Sequence, residues 1–469
     1  MQTTTEASVQ VTEQQADNQK LRYRTVWRWH FYAGLYVIPF LIMLSVTGIL
    51  MMLYKPLIEP ALYGELVKVE AQQRPYLSWE QQRSSVAELY PEAVIRQLRM
   101  PDSLEESTRF TVKTTEGANL QVLVNPYSGE VLGHIRKDDT LYALADNIHG
   151  TLLMGKTGDA LIELSAGFML VLIFTGIYLW WPRTGSKLSM LLPDLSKKGR
   201  SLWKELHASV GFWLSFILLL FVLSGLSWTG IWGAQIVQPW NSFPAGVFGG
   251  APVSDQTHAS LNPGVIEEVP WNLEQTPLPM SGSMAGKPGI PAGTPVNIDS
   301  AVRYAEDNGM TDFRVNLPQD ETGVYTIIAA TMSGDVIDPR NDRAMHLDQY
   351  SGNKLADVDF DQYSLMAKAM AIGIPLHMGL WGQLNLIANV IICALLIFVC
   401  ISGAVLWWKR RPAQSGISAP RRALPVISWK VAAALWLAAA IFVPLLGAAV
   451  LVITLFDLLI GKRLMPASA

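Results

Sequence analysis

Apolar residues gather into four stretches of about 20 or more, near Phe31 to Tyr54, Ala160 to Trp181, Phe212 to Trp232 and Leu386 to Trp408. A helix rising about 1.5 Å per residue needs about 20 of them to cross a ~30 Å hydrocarbon layer, so each stretch predicts a transmembrane helix. A fifth run, Val431 to Ile460, is about 30 residues long with Pro444 near its middle. It predicts one kinked, tilted span in preference to a re-entrant pair.

The polar segments between the spans carry a different period. Leu120 to Val124 alternates and enters Asn125-Pro126-Tyr127-Ser128-Gly129, and Met345 to Leu347 enters Asp348-Gln349-Tyr350-Ser351-Gly352. Both predict a strand running into a turn closed by glycine. Short helical patterns precede them, Trp79 to Tyr90 and Ile298 to Asn308, so each segment predicts a small α+β module. An insertion from about Gln238 to Pro295 is rich in Pro and Gly without an apolar period, which fits either a functional loop or disorder.

The two halves superimpose in sequence. His30 and Gly34 match His207 and Gly211 as H-x-x-x-G, and a second glycine follows each histidine by eighteen residues, at Gly48 and Gly225. Likewise His149 precedes Thr175-Gly176 and Trp180-Trp181, as His377 precedes Ser402-Gly403 and Trp407-Trp408. The chain is an internal duplication.

Composition agrees with a membrane class, since half of the 469 residues are hydrophobic and only 16% are charged. A net charge of −3 without a basic stripe excludes a nucleic-acid partner. Basic residues set the orientation: Arg22, Arg24 and Arg28 before the first span, Arg183, Lys187, Lys197, Lys198 and Arg200 after the second, and Lys409, Arg410, Arg411, Arg421 and Arg422 after the fourth. These clusters place the N-terminus and both span-connecting loops in the cytoplasm, against the minor exception of Lys462 and Arg463. Met1 to Lys20 lack the apolar core of a signal peptide and read as a disordered tail. Cys393 and Cys400 lie about 10 Å apart along one helix and cannot bond to each other.

The resulting plan is a five-helix all-α membrane bundle with two small periplasmic α+β domains. Its parts are a tail (1–24), span one (25–54), an outer domain (55–147), an interfacial segment with span two (148–183), a loop (184–202) and span three (203–232). The second outer domain (233–375), an interfacial segment with span four (376–410), a loop (411–428), span five (429–461) and a tail (462–469) follow.

Four of the seven histidines occupy repeat-related positions at span starts. Topology sorts them into His30 with His207 at the cytoplasmic face and His149 with His377 at the periplasmic face. Two imidazoles aimed at a common centre supply the axial ligands of haem iron, and Gly34, Gly48, Gly211 and Gly225 leave room for a flat macrocycle. Zinc or copper is a rival with too few ligands per pair, and purely structural histidines are another. His134, His258 and His346 have no repeat partner.

Over residues 25 to 410 the chain resembles the PepSY-associated transmembrane helix family, on Trp29-His30 with Gly34, the hairpins Asn125 to Gly129 and Asp348 to Gly352, His149 with Gly155, Leu206-His207 and Leu376-His377. The span endings Leu179-Trp180-Trp181-Pro182-Arg183 and Leu406-Trp407-Trp408-Lys409 add to it. That resemblance implies two b-type haems held by His30, His149, His207 and His377. Members of that family include di-haem reductases of the bacterial inner membrane that release iron from ferric siderophores in the periplasm, so an oxidoreductase serving iron uptake is the expectation. The partners expected are the lipid bilayer, a ferric siderophore or other periplasmic acceptor, and a cytoplasmic or quinol electron donor. Alternatives are a haem-free PepSY protein that binds peptides or regulates a peptidase, and a transporter. The glycines at 150, 155, 158, 379 and 382 fit either a docking mouth or ordinary turns.

Overall fold

The computed structural model describes residues 2–181, 191–243, 245–262, 268–411 and 429–459. In chain order the helices are α1 (Gln2–Leu53), α2 (Glu59–Val67), α3 (Trp79–Leu89), α4 (Leu141–Thr151), α5 (Lys156–Trp180), α6 (Gly199–Leu226), α7 (Ile298–Asp307), α8 (Leu365–Met378), α9 (Gln383–Arg410), α10 (Trp429–Phe442) and α11 (Pro444–Leu459). The strands are β1 (Val94–Arg99), β2 (Thr108–Lys113), β3 (Asn119–Val124), β4 (Val131–Arg136), β5 (Val253–Thr257), β6 (Pro277–Pro279), β7 (Arg314–Asn316), β8 (Val324–Ala329), β9 (Arg343–Asp348) and β10 (Lys354–Asp359). Two compact units emerge, a helical one from residues 1–46, 150–233 and 391–469, and a sheet unit from residues 47–149 and 234–390. Of the orienting charges, Arg183, Lys187, Arg421, Arg422, Lys462 and Arg463 lie outside the described residues, as do 184–190 of the first loop, nearly all of the second and the C-terminal tail.

Among the described residues, four helices are long and apolar enough to cross a bilayer: the run Asn18–Val67, α5, α6 and α9. α1 begins at Gln2, so the stretch expected as a disordered tail is helical. In the helical unit Trp180 of α5 stacks on Phe212 of α6 with centroids 3.7 Å apart. At the other end of α5, Asp159 accepts from Gly230 N–H, and Glu163 accepts from Ile231 and Trp232 N–H. These carboxylates satisfy backbone donors of the turn that follows α6 and opens the short helical turn Trp232–Val237, which a water-poor environment would leave unpaired.

The fifth run is not one span. α10 and α11 have 14 and 16 residues, about 21 and 24 Å at the helical rise, short of the ~30 Å hydrocarbon layer. The chain doubles back between them: Trp436 Nε1–H donates to Gly447 O at 2.8 Å, although eleven residues separate them. In a straight helix that spacing is about 16 Å. Pro444, lacking an N–H, ends the first helix, and Gly447 admits the second, because a side-chain carbon there would lie 2.4 Å from Ala440 Cα. The hairpin packs on α5 at Gly167, beside Leu446 and Val443.

In the sheet unit the two expected α+β modules are one sheet. Eight antiparallel strands run in the order β10-β9-β8-β7-β1-β2-β3-β4, four from each half. Each half contributes one of its two edges, β1 or β7, and these pair through Gln97↔Asn316, Leu98↔Val315 and Arg99↔Arg314, with β10 and β4 left at the ends. Pairing removes those two inner edges. The repeat persists in detail: α3 carries a Ser78–Gln81 capping box and α7 an Asn297–Ser300 one. Asn125 Oδ1 accepts from Tyr127 and Ser128 N–H, as Asp348 Oδ1 accepts from Tyr350 and Ser351 N–H. Gly129 and Gly352 close these turns at φ of 76° and 69°, a region that favours glycine.

Strand alternation gives the sheet two different faces. Val122, Phe110, Leu98, Val315, Ile327 and Met345 are cross-strand neighbours in one row, and they form the core under α3 and α7. The opposite face carries the polar rows Arg109–Arg99–Arg314 and Thr111–Gln97–Asn316–Thr326–His346. The insertion covers part of this face. Phe248, Val269 and Leu273 pack on Ile328, Ala330, Ala344 and Val358, and Glu268 bonds Arg314 at 2.6 Å.

Candidate functional site at the repeat-related histidines

The four histidines divide evenly between the units. His30 on α1 and His207 on α6 belong to the helical unit, and His149 on α4 and His377 on α8 belong to the sheet unit. All four rings are half-buried.

In the helical unit the rings of His30 and His207 approach to 6.4 Å between centroids, nearly perpendicular at 87°. Each is held from behind by a hydroxyl. His30 Nδ1 lies 2.9 Å from Thr175 Oγ1 on α5, and His207 Nδ1 lies 2.8 Å from Ser402 Oγ on α9. Both hydroxyls already donate their hydrogen to a carbonyl of their own helix, Thr175 to Val171 O and Ser402 to Val399 O. They are therefore left as acceptors, so Nδ1 of each histidine carries the proton and Nε2 keeps its lone pair. His207 Nδ1 also lies 3.2 Å from Val399 O, which can only accept, and the tautomer is the same.

A glycine follows each hydroxyl residue and lets the ring come close. A side-chain carbon on Gly176 would lie 3.3 Å from His30 Cε1, and one on Gly403 would lie 3.4 Å from His207 Cε1. The sheet unit repeats the device, with His149 Nδ1 2.9 Å from Thr47 Oγ1 and Gly48 beside the same ring. Asn389 Nδ2–H donates to the backbone carbonyl of His377. Gly34 and Gly211 face only ordinary contact or open space.

Sequence reasoning missed the hydroxyls, although the signal was present. Thr47-Gly48, Thr175-Gly176, Ser224-Gly225 and Ser402-Gly403 are four repeat-related hydroxyl-glycine pairs, of which only Gly48 and Gly225 were given a role. Several mouth glycines have a turn role instead: Gly155, Gly379 and Gly382 sit at positive φ, and a side-chain carbon on Gly158 would collide with Thr151 O. Among the described residues no group of three or more His, Cys, Asp or Glu converges to hold a metal ion.

A second histidine pair was not foreseen at all. His258, from the insertion, and His346, on β9, are fully buried with Nε2 atoms 3.0 Å apart. His258 Nδ1–H donates to Thr276 O, so its Nε2 accepts from His346 Nε2–H, and His346 Nδ1 then accepts from Thr326 Oγ1–H. Every ring nitrogen is satisfied only while both rings are neutral.

Burial lowers the His258 pKa to about 4 against the opposing bond to Thr276, and burial with the neighbouring His258 holds His346 well below its ordinary value despite Asp357. The unfolded chain therefore binds protons first as pH falls. Stability from the pair is complete above the unfolded value of about 6.5 and is lost toward about pH 4, by roughly 3 kcal/mol for His258. The expected result is that proteolysis of the 253–276 arm accelerates between pH 6.5 and 4.5, with a shallower pH dependence in His258→Gln. Equal slopes in the two proteins would show that the pair does not titrate with opening.

Apolar spanning helices that carry repeat-related histidines, together with a large antiparallel sheet in the polar segments, define a multi-pass membrane protein. The chain belongs to the family of the PepSY-associated TM region, which matches residues 27–410. A search of curated proteins returns no match.

Proposed function

We propose that this protein is a di-haem b electron-transfer protein of the bacterial inner membrane, with its N-terminus in the cytoplasm and its PepSY-like sheet in the periplasm. It would carry electrons outward to reduce ferric iron held in siderophores. The observation that carries this reading is the His30–His207 pair. Two imidazoles that hold one metal ion would need ring centres about 6 Å apart, at about 2 Å per metal–nitrogen bond and about 1 Å more to each ring centre. The centroids stand 6.4 Å apart.

The chain's own residues supply the ligand chemistry. His30 and His207 would hold one haem and His149 and His377 the other, each haem supplying a one-electron iron couple. Thr175 and Ser402 keep the proton on Nδ1 and leave Nε2 to ligate, so neither histidine needs to lose a proton on loading. Gly211 leaves open space along α6, and Gly34 on α1 meets only ordinary contact with Leu172. An electron moving from cytoplasm to periplasm gains about 2.3 kcal/mol per 100 mV of membrane potential, which sets the direction. No flavin or nicotinamide fingerprint occurs in the chain, so the donor is a partner protein, a diffusible reductant or a quinol.

The test is the visible spectrum of the purified protein followed by reoxidation. Two haems per chain with sharp reduced bands are expected, and anaerobic addition of a ferric siderophore to the reduced protein should reoxidise them faster than buffer does. A colourless protein overturns electron transfer. A coloured one that ferric siderophores of several classes do not reoxidise has a different acceptor.

A further inference from the structure

We infer that Thr175 and Ser402 are positioning residues that set the ligand strength of His30 and His207, and with it the potential of the redox centre the two histidines hold. The inference rests on the proposed function above.

Each hydroxyl stands at the middle of a directed chain, His30 Nδ1–H to Thr175 Oγ1–H to Val171 O, and His207 Nδ1–H to Ser402 Oγ–H to Val399 O. The helix carbonyl fixes the direction, because it can only accept. A proton held by an acceptor at Nδ1 pushes electron density onto Nε2 and makes the imidazole a more basic ligand. A more basic ligand favours the oxidised metal, so these bonds lower the potential. The hydroxyls also fix the ring about its Cβ–Cγ bond, and Gly176 and Gly403 supply the close approach that the short bonds need.

Alternative duties for these residues do not account for the geometry. A threonine or serine in a membrane helix satisfies its hydroxyl hydrogen by bonding the carbonyl one turn back, as Ser215 does. Thr175 and Ser402 make that bond and a second one to a histidine of another helix. A hydroxyl likewise faces Nδ1 of His149 at Thr47, so the contact recurs at a third histidine.

The experiment is redox titration of the full-length protein, with Thr175→Val as the near-isosteric variant without a hydroxyl and Thr175→Ser as the rescue. Thr175→Val should keep two haems, raise one midpoint potential, shift the low-spin EPR signal of that haem and leave the other unchanged. Thr175→Ser should return both readouts toward wild type. Ser402→Ala should move the same haem in the same direction. Should Thr175→Val lose one haem while Thr175→Ser keeps two, the hydroxyl is required for ligation and the inference holds. Unchanged potential and EPR signal in a fully loaded Thr175→Val protein overturn it, as does loss of the haem from both variants. A wild-type protein without haem overturns the proposed function and this inference with it.

Discussion

Replacing His207 with alanine is expected to remove one of two haem equivalents per chain and leave the spectrum of the other intact. The expectation follows from the partition of the histidines: His30 and His207 face each other within the helical unit, while His149 and His377 belong to the sheet unit. Truncation deletes the Nε2 lone pair, and His30 alone supplies only one axial ligand. The pyridine haemochrome assay should fall from two haems toward one, and His377→Ala should remove the complementary one. The double variant His207→Ala, His377→Ala should then be colourless. Added imidazole should restore the lost bands in His207→Ala, since the truncation leaves a space of that shape beside Ser402. If His207→Ala and His377→Ala eliminate the same spectral component, the pairing is wrong.

The second large effect concerns stability. Arg314 is buried on β7 and bonds Glu268 at 2.6 Å, Asp335 at 2.7 Å and Ser333 O at 2.7 Å. Burial pushes the Glu268 carboxyl up, but Arg314 and Lys137 outweigh it and hold the group well below the usual carboxylate range. Arg314→Ala leaves Glu268 and Asp335 short of their main counter-charge inside the protein. Removing one partner of a buried ion pair costs about 3–5 kcal/mol, because the remaining charge stays desolvated.

Arg314 lies on the strand that joins the two halves of the sheet, and Glu268 comes from the insertion. Amide exchange should therefore accelerate in β1, β7 and the insertion together. Arg340→Ala, which breaks an exposed ion pair with Asp338, should leave exchange unchanged. Protection in Arg314→Ala equal to wild type would mean that water already screens the cluster.

The duplication and the four spans were legible because each depends on local or periodic information. Hydropathy over about 20 residues decides whether a helix can enter a bilayer, whatever its neighbours are. Repeat spacing carried His30 onto His207 and His149 onto His377 without any contact being known. The turns at Asn125 and Asp348 were legible for the same reason, since a side chain bonding its own backbone two and three residues on is a short-range event.

Contacts between distant segments decided the rest. Pro444 permits either a kink or a reversal, and Gly447 against Ala440, with Trp436 bonded across, selects the reversal. The union of two modules into one sheet depends on two strand edges more than 200 residues apart in the chain. The insertion has no period of its own because its apolar residues answer to a sheet face assembled from elsewhere. Thr175 and Ser402 were in plain view as residues beside glycines, but a hydroxyl becomes an acceptor for a histidine only when folding brings two helices together. Sequence determined which groups are present and at what spacing; tertiary structure decided which nitrogen each histidine offers, because that depends on a partner 145 or 195 residues away.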